Sequence, residues 1–272
     1  MFEPVIIGDA TLYLGDAREI IPALPDASVD FIFIDPPYGH NNNNGDLIQR
    51  REAALGQIPN AGSSPRPIAN DGAEANELVR WFFGQANRLL ARGGCCCCCC
   101  CCGGGGPDPQ FARWSLWLDE LLGFKQMVIW DKGPMGMGWH YRRSYETVLV
   151  GEKPGGRCNW QANGRTIENI IRPGQYGIRK IIPQADDHPT PKPIELAAHF
   201  ISLHSAPDEL VLDAFMGHGG TGVAAILAGR RFTGVEIDPG YFAVACRRIE
   251  EADRQPRLFP DTTAKAKQEV LC

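Results

Sequence analysis

The chain has 272 residues, 44% of them hydrophobic and 22% charged, which places it among ordinary globular proteins able to bury one substantial core. Its formal charge of −5 offers no global attraction to nucleic acid, so any such contact has to come from local basic patches. No basic-then-apolar leader opens the chain, and no apolar run approaches the roughly 20 residues that span a bilayer. The expectation is a cytoplasmic, soluble protein with one domain over residues 1–272 and no membrane contact.

The first clear element is Val29-Asp30-Phe31-Ile32-Phe33-Ile34, an apolar run stopped by Asp35-Pro36-Pro37. It suits a buried strand of a parallel sheet that ends in a rigid loop. Residues 40–75 are rich in Asn, Gly, Pro and Ser and read as a long mobile loop. A loop that long inside a compact domain usually has a task. Residues 77–90 have helical spacing that ends at Gly93-Gly94.

Eight of the eleven cysteines then form the unbroken run 95–102, leaving Cys158, Cys246 and Cys272. A contiguous run sends successive thiols to opposite faces of a strand, whereas zinc ligands need turns between pairs so that they converge. The run therefore reads as small apolar residues in a buried strand, with neither a metal site nor a disulfide framework. A helix follows over residues 110–122, then strands over 125–130 and 145–150.

Residues 139–182 carry eight Lys or Arg against three acids: Arg142, Arg143, Lys153, Arg157, Arg165, Arg172, Arg179 and Lys180 against Glu146, Glu152 and Glu168. That is a local basic patch, though a solvated loop of mixed charge fits this feature as well. Within it, residues 151–187 show little periodicity and read as an inserted recognition segment. Residues 193–203 form an amphipathic helix. The strand 209–213 then enters the turn Gly217-His218-Gly219-Gly220-Thr221-Gly222, a helix covers 223–228, and the strand Arg231-Phe232-Thr233-Gly234-Val235-Glu236 closes at Ile237-Asp238-Pro239 before a helix over 241–252. This order is a nucleotide-type βαβ unit. No internal repeat of solenoid length is present.

A glycine turn between strand and helix lets a ligand approach the backbone, and the helix N-terminus favours negative charge. Glu236, at the end of the next strand, is placed to accept from two ribose hydroxyls. Both features fit S-adenosylmethionine and a dinucleotide equally. Asp35-Pro36-Pro37-Tyr38 decides between them: the prolines stiffen the loop and leave carbonyls free to accept. A carboxylate and a carbonyl that take both protons of an exocyclic amino group favour a pyramidal, more nucleophilic nitrogen. Tyr38 supplies an aromatic face for a base turned out of the duplex.

These motifs resemble the β-class of DNA amino-methyltransferases, over nearly the whole chain. In that family the Asp-Pro-Pro-Tyr motif precedes a target-recognition segment and the cofactor motifs come last, which is the order here. The resemblance implies an α/β fold of the class I S-adenosylmethionine-dependent methyltransferase (Rossmann-like) type in permuted motif order, a single catalytic domain with its cofactor-binding part over residues 188–252. The family's cofactor loop, usually Asp-Pro-Phe-x-Gly-x-Gly-Thr, corresponds to Asp213-Ala214-Phe215-Met216-Gly217-His218-Gly219-Gly220-Thr221, with Ala214 and Gly220 departing from the pattern. Its His-Pro-x-x-Lys-Pro segment is matched by residues 188–193, which makes Lys192 the expected partner of the cofactor's carboxylate.

Gly15-Asp16 resembles the family's contact to the cofactor adenine, and Asp238 joins the cofactor set; an exposed turn acid is the other reading of Asp16. Asp at the first catalytic position accompanies adenine N6 methylation more often, and Ser accompanies cytosine N4. The resemblance thus implies adenine N6 of double-stranded DNA as target, with cytosine N4 or a catalytically silent DNA-binding regulator as alternatives. With so short a recognition segment, a homodimer that shares DNA contacts is the expected assembly.

Overall fold

A computed structural model of the protein describes residues 2–40, 67–100, 110–133, 144–157, 159–162, 167–178 and 192–255. In chain order they form β1 (Val5–Ile7), β2 (Ala10–Leu14), a one-turn helix α1 (Ala17–Ile20), β3 (Val29–Ile34), α2 (Ala75–Leu89), β4 (Leu90–Cys100) and α3 (Gln110–Leu121). These are followed by β5 (Phe124–Asp131), β6 (Tyr145–Glu152), β7 (Ile170–Ile171), α4 (Ile194–His204), β8 (Leu210–Asp213), α5 (Gly220–Leu227), β9 (Arg231–Glu236) and α6 (Pro239–Asp253). Among the described residues no helix is long and apolar enough to cross a membrane.

The strands make one sheet in the order β1-β2-β9-β8-β3-β4-β6-β5-β7. The block β2-β9-β8-β3-β4 is parallel throughout, and β6 enters antiparallel between β4 and β5. Two crossovers set the architecture. From β8 the chain passes through α5 to β9 on one side, and from β3 it passes through α2 to β4 on the other. Crossovers between parallel strands share one hand, so connections leaving in opposite directions place their helices on opposite faces of the sheet. The β8–β3 pair, joined also by Leu210 N donating to Asp30 Oδ2 at 2.8 Å across a separation of 180 residues, is where they diverge.

The strand alternation shows both layers. On β3, Phe31 and Phe33 pack with Cys95, Cys97 and Cys99 against Phe200 of α4, Val223 of α5 and Ile249 of α6. Ile32 and Ile34 pack with Cys96, Cys98 and Cys100 against Val79, Phe82 and Phe83 of α2 and Trp114 of α3. A parallel strand covered on both faces needs apolar side chains at every position, and cysteine meets that need. Residues Cys95 to Cys100 are all buried, and burial pushes the thiols of Cys96, Cys98 and Cys99 far up, so they stay protonated. Cys101, Cys102, Cys158 and Cys272 lie outside the described residues.

At three places the structure departs from the expected elements. Gly93-Gly94 lies inside the strand that follows the helix: α2 ends at Leu89, Leu90 already pairs with Val29, and the next pair is Phe31 with Cys95. The intervening residues bulge, and Gly93 permits this with φ +81° and no room for a Cβ, which would meet Arg157 O at 2.2 Å. Next, β6 runs on to Glu152, so the recognition segment's first residues belong to the sheet. Finally, β1, β2 and α1 had no sequence forecast.

Helix α5 starts at Gly220, so the last part of the glycine turn is its first turn. Gly222 packs where a Cβ would lie 2.5 Å from Ile249 Cδ1 and 2.7 Å from Phe232 Cε1, both on buried residues. Alanine there gains about 1 kcal/mol of helix propensity but overpacks a filled layer, at a cost of about 1–3 kcal/mol. Gly222→Ala is therefore expected to lower the urea unfolding midpoint; a raised midpoint would show that the layer yields freely.

Candidate active site

In open parallel sheets, ligands bind beyond the carboxyl ends of strands at the point where connections diverge. One cavity lies there. Its lining includes Asp16, Asp35, Pro36, Pro37, Tyr38, Lys192, Asp213, Phe215, Gly217, Gly220, Thr221, Glu236 and Asp238. Of the cofactor candidates read from the sequence, Gly219 alone does not line it. That glycine has φ +83°, and a Cβ would meet the Cβ of Ala245 at 2.9 Å, so it sets the turn's shape and its packing on α6.

The glycine turn is tied down by two buried acids. Asp213, 2% exposed, accepts from Phe215 N at 3.0 Å and from the Thr221 hydroxyl. Glu236, 8% exposed, accepts from Gly217 N through Oε2 and from Asp238 N through Oε1, each at 2.8 Å. Burial pushes both carboxyls up to about 7, against those hydrogen bonds, which pull the other way. Asp238 caps α6 by accepting from Gly240 N and Tyr241 N. Asp16 caps α1, and the Arg18 guanidinium grips the same carboxylate and holds it below the usual range. Both residues border the cavity with their carboxylates already employed in capping.

On the other side, Asp35 follows β3 directly. Its Oδ1 accepts from the Tyr38 hydroxyl, and its Oδ2 accepts from Lys192 Nζ at 2.9 Å. The Lys192 ammonium also lies 3.1 Å from Tyr38 Oη and 3.6 Å from Glu146 Oε2. Lys192 thus sits on the Asp-Pro-Pro-Tyr motif at the cavity wall, and Pro193, the N-cap of α4, fixes where it leaves the chain.

Tyr38 is held by packing around its ring. Its ring is buried, stacks on Trp114 at 6.1 Å and has the Lys192 ammonium 5.0 Å from its centroid, while it borders the cavity. A side chain that sequence reasoning missed holds this loop. Asp71, 1% exposed, accepts through Oδ1 from the successive N–H groups of Tyr38, Gly39 and His40 at 2.9, 2.8 and 3.2 Å. The two segments are more than 30 residues apart, so no local spacing announces the contact.

Of the basic residues singled out for DNA, Arg142, Arg143, Arg165, Arg179 and Lys180 lie outside the described residues. Arg157 is next to Gly93, near the start of β4 and so at the end of the sheet opposite the cavity. Arg172 follows β7 on the cavity's edge of the sheet, but on the outermost strand and paired with Glu168.

A family model of DNA methylases of the N6/N4 type matches residues 29–247. The chain is similar to DNA adenine methyltransferase YhdJ of Escherichia coli, 26% identical, covering 92% of this chain and 86% of that protein. It is also similar to type II methyltransferase M.HinfI of Haemophilus influenzae, 25% identical, covering 90% of this chain and 70% of the other. Among solved structures it resembles the M1.HpyAVI–SAM complex, with TM-score 0.59, 26% identity and coverage of 88% of this chain and 99% of that one. It shares its fold with the cytosine-N4-specific PvuII DNA methyltransferase, with TM-score 0.63, 19% identity and coverage of 89% and 86%. With the family match spanning most of its length, the chain belongs to the N6/N4 DNA methylase family.

Proposed function

We propose that the protein methylates N6 of adenine in double-stranded DNA, using S-adenosylmethionine. The observation that carries this reading is the meeting of Asp35 and the Gly217–Glu236 corner in one cavity at the divergence of β3 and β8. Asp at the first position of the motif and the likeness to an adenine methyltransferase favour adenine. Cytosine N4 is the second reading, because its amino group offers the same donors and a cytosine-N4-specific enzyme shares the fold.

The cavity's residues fit the cofactor. A glycine turn brings bare backbone to the cavity wall, a buried carboxylate bridges its two loops, and Phe215, Met216 and Ile237 give apolar lining. Bound S-adenosylmethionine supplies a methyl group on a positively charged sulfur, open to in-line attack. Glu236 accepts from the ribose hydroxyls with the lone pairs left over from Gly217 and Asp238. The N-terminus of α5 and the turn before it favour the cofactor's carboxylate.

The target base turns out of the duplex, since an enclosed cavity cannot reach it in the stack. Asp35 and the Pro36 carbonyl accept from its amino group, so the nitrogen's lone pair is directed at the methyl carbon. With the cofactor bound, its methyl would pass to that nitrogen and the C–S electron pair would stay on sulfur, while the proton shed by the amino group would leave to solvent through its hydrogen bond to Asp35. Tyr38 leaves its packed position and stacks on the base. DNA is gripped by the basic segment, and a homodimer supplies additional contacts.

Methylation-aware sequencing of DNA from cells that express the protein or its Asp35→Ala variant tests this reading. A modified adenine at one short motif, lost in the variant, is expected; modified cytosine would move the target to N4, and no modification would refute the proposal. Cofactor binding should also depend on pH. Glu236 accepts hydroxyl protons as its anion, and burial places its carboxyl near 7. Binding draws on the ionised form, so affinity rises with pH up to and through about 7 and then levels off. Calorimetric titration from pH 5.5 to 8.5 should show this slope in the wild type and a weaker, flatter dependence in Glu236→Gln. Equal slopes would remove Glu236 from the contact.

A further inference from the structure

Behind Asp35 stands a row of charges that alternate in sign and come from four separate elements. Lys132, just after β5, lies 2.6 Å from Glu146 Oε1. Glu146, in β6, faces Lys192 at 3.6 Å through Oε2. Lys192, just ahead of α4, reaches Asp35 at 2.9 Å. The side chains of Glu146 and Lys192 are only 14% and 12% exposed. Because β6 runs antiparallel to β4, its first residues fall at the edge where the parallel strands end, which is how Glu146 comes to line the same cavity as Asp35. Burial works against the Glu146 anion, but the two lysines outweigh it and hold the carboxyl below its usual range.

An ammonium in close contact with Asp35 has two effects. It orients the carboxylate, and it competes with the amino group of the base for the same negative charge. The second effect weakens an acceptor whose task is to draw protons from that amino group. A carboxylate on the far side of the ammonium takes up part of its donor capacity and restores the balance. Glu146 stands there, and Lys132 keeps Glu146 ionised and oriented.

We infer that Glu146 is a positioning residue for methyl transfer, which shares Lys192 with Asp35 and so sets the orientation and acceptor strength of Asp35. The inference rests on the reading of Asp35 as acceptor of the target amino group's protons. The role assigned to Glu146 is exerted through Lys192.

That dependence on Lys192 defines the test. The full-length protein, Glu146→Gln, Lys192→Met and the double variant are compared in single-turnover transfer of labelled methyl to DNA at saturating S-adenosylmethionine. Cofactor Kd and thermal unfolding are measured alongside. Glu146→Gln is expected to lower the transfer rate about tenfold or more, with cofactor Kd within about threefold of wild type. In the Lys192→Met background the same substitution should change the rate less than about twofold, since its intermediary is gone. The same factor in both backgrounds would mark a merely structural role and overturn the inference, as would a Glu146→Gln rate equal to wild type.

Should Glu146→Gln fail to fold, Lys132→Met replaces it in the cycle. Without Lys132, Glu146 loses the charge that keeps it ionised and oriented, so Lys192 turns more fully to Asp35; a rate loss of about fivefold is expected only while Lys192 is present, and a loss independent of Lys192 refutes the scheme. A wild type that transfers no methyl to DNA overturns the amino-group reading together with this inference. An active wild type with an unimpaired Glu146→Gln variant overturns the inference alone.

Discussion

The chemistry of this protein depends on two adjacent parallel strands, β3 and β8, whose helical crossovers leave in opposite directions. Helices on both faces cover the strands along their length, and at the carboxyl ends the diverging connections leave a crevice between them. An aspartate stands at each strand's end, Asp35 directly after β3 and Asp213 as the last residue of β8. One continues into a proline-stiffened loop and the other into a glycine turn. The chain order is permuted, so the strand with the glycine turn is among the last to appear, yet the pairing of β8 with β3 brings both halves to the same cavity.

Electrostatics then separates the two sides. Asp213 and Glu236 are buried with backbone and hydroxyl donors for partners, which leaves both carboxyls raised to about 7. Asp35 and Glu146 are instead interleaved with Lys192 and Lys132. Buried carboxylates of like sign cannot all stay ionised unless counter-charge is supplied nearby. The lysines supply it beside Asp35 and Glu146, the side proposed to meet the target amino group. Neutral donors suffice where the acid bridges backbone and meets hydroxyl groups.

Local chemistry explains which parts were legible in the sequence. The strands Val29–Ile34 and Arg231–Glu236 have the bounds that their apolar runs and terminal acids imply. Cys95 to Cys100 lie in a buried strand because its two-sided apolar environment accepts small apolar side chains at every position. Features that depend on distant partners were not legible. Gly93 looked like a stop signal, but its role is a bulge fixed by Arg157 from another segment. Asp71 and Glu146 carry no motif, and their importance comes from the loop and the lysines that the fold delivers to them. The strands β1 and β2 are short and irregular in pattern, with Ile6 of β1 70% exposed, so periodicity gave no hint of them. Lys192 lines the cavity, and its contact with Asp35 comes from the geometry of β3 and α4, which spacing does not reveal.

The central claim is that one cavity joins a cofactor-holding side on β8 and β9 to a separate chemical side on β3. Calorimetric titration of Asp35→Ala with S-adenosylmethionine, paired with its transfer rate to DNA, tests that division most directly. The account predicts cofactor affinity within about threefold of wild type and no measurable transfer. Loss of affinity in step with loss of transfer would contradict it, because Asp35 would then belong to the cofactor's site.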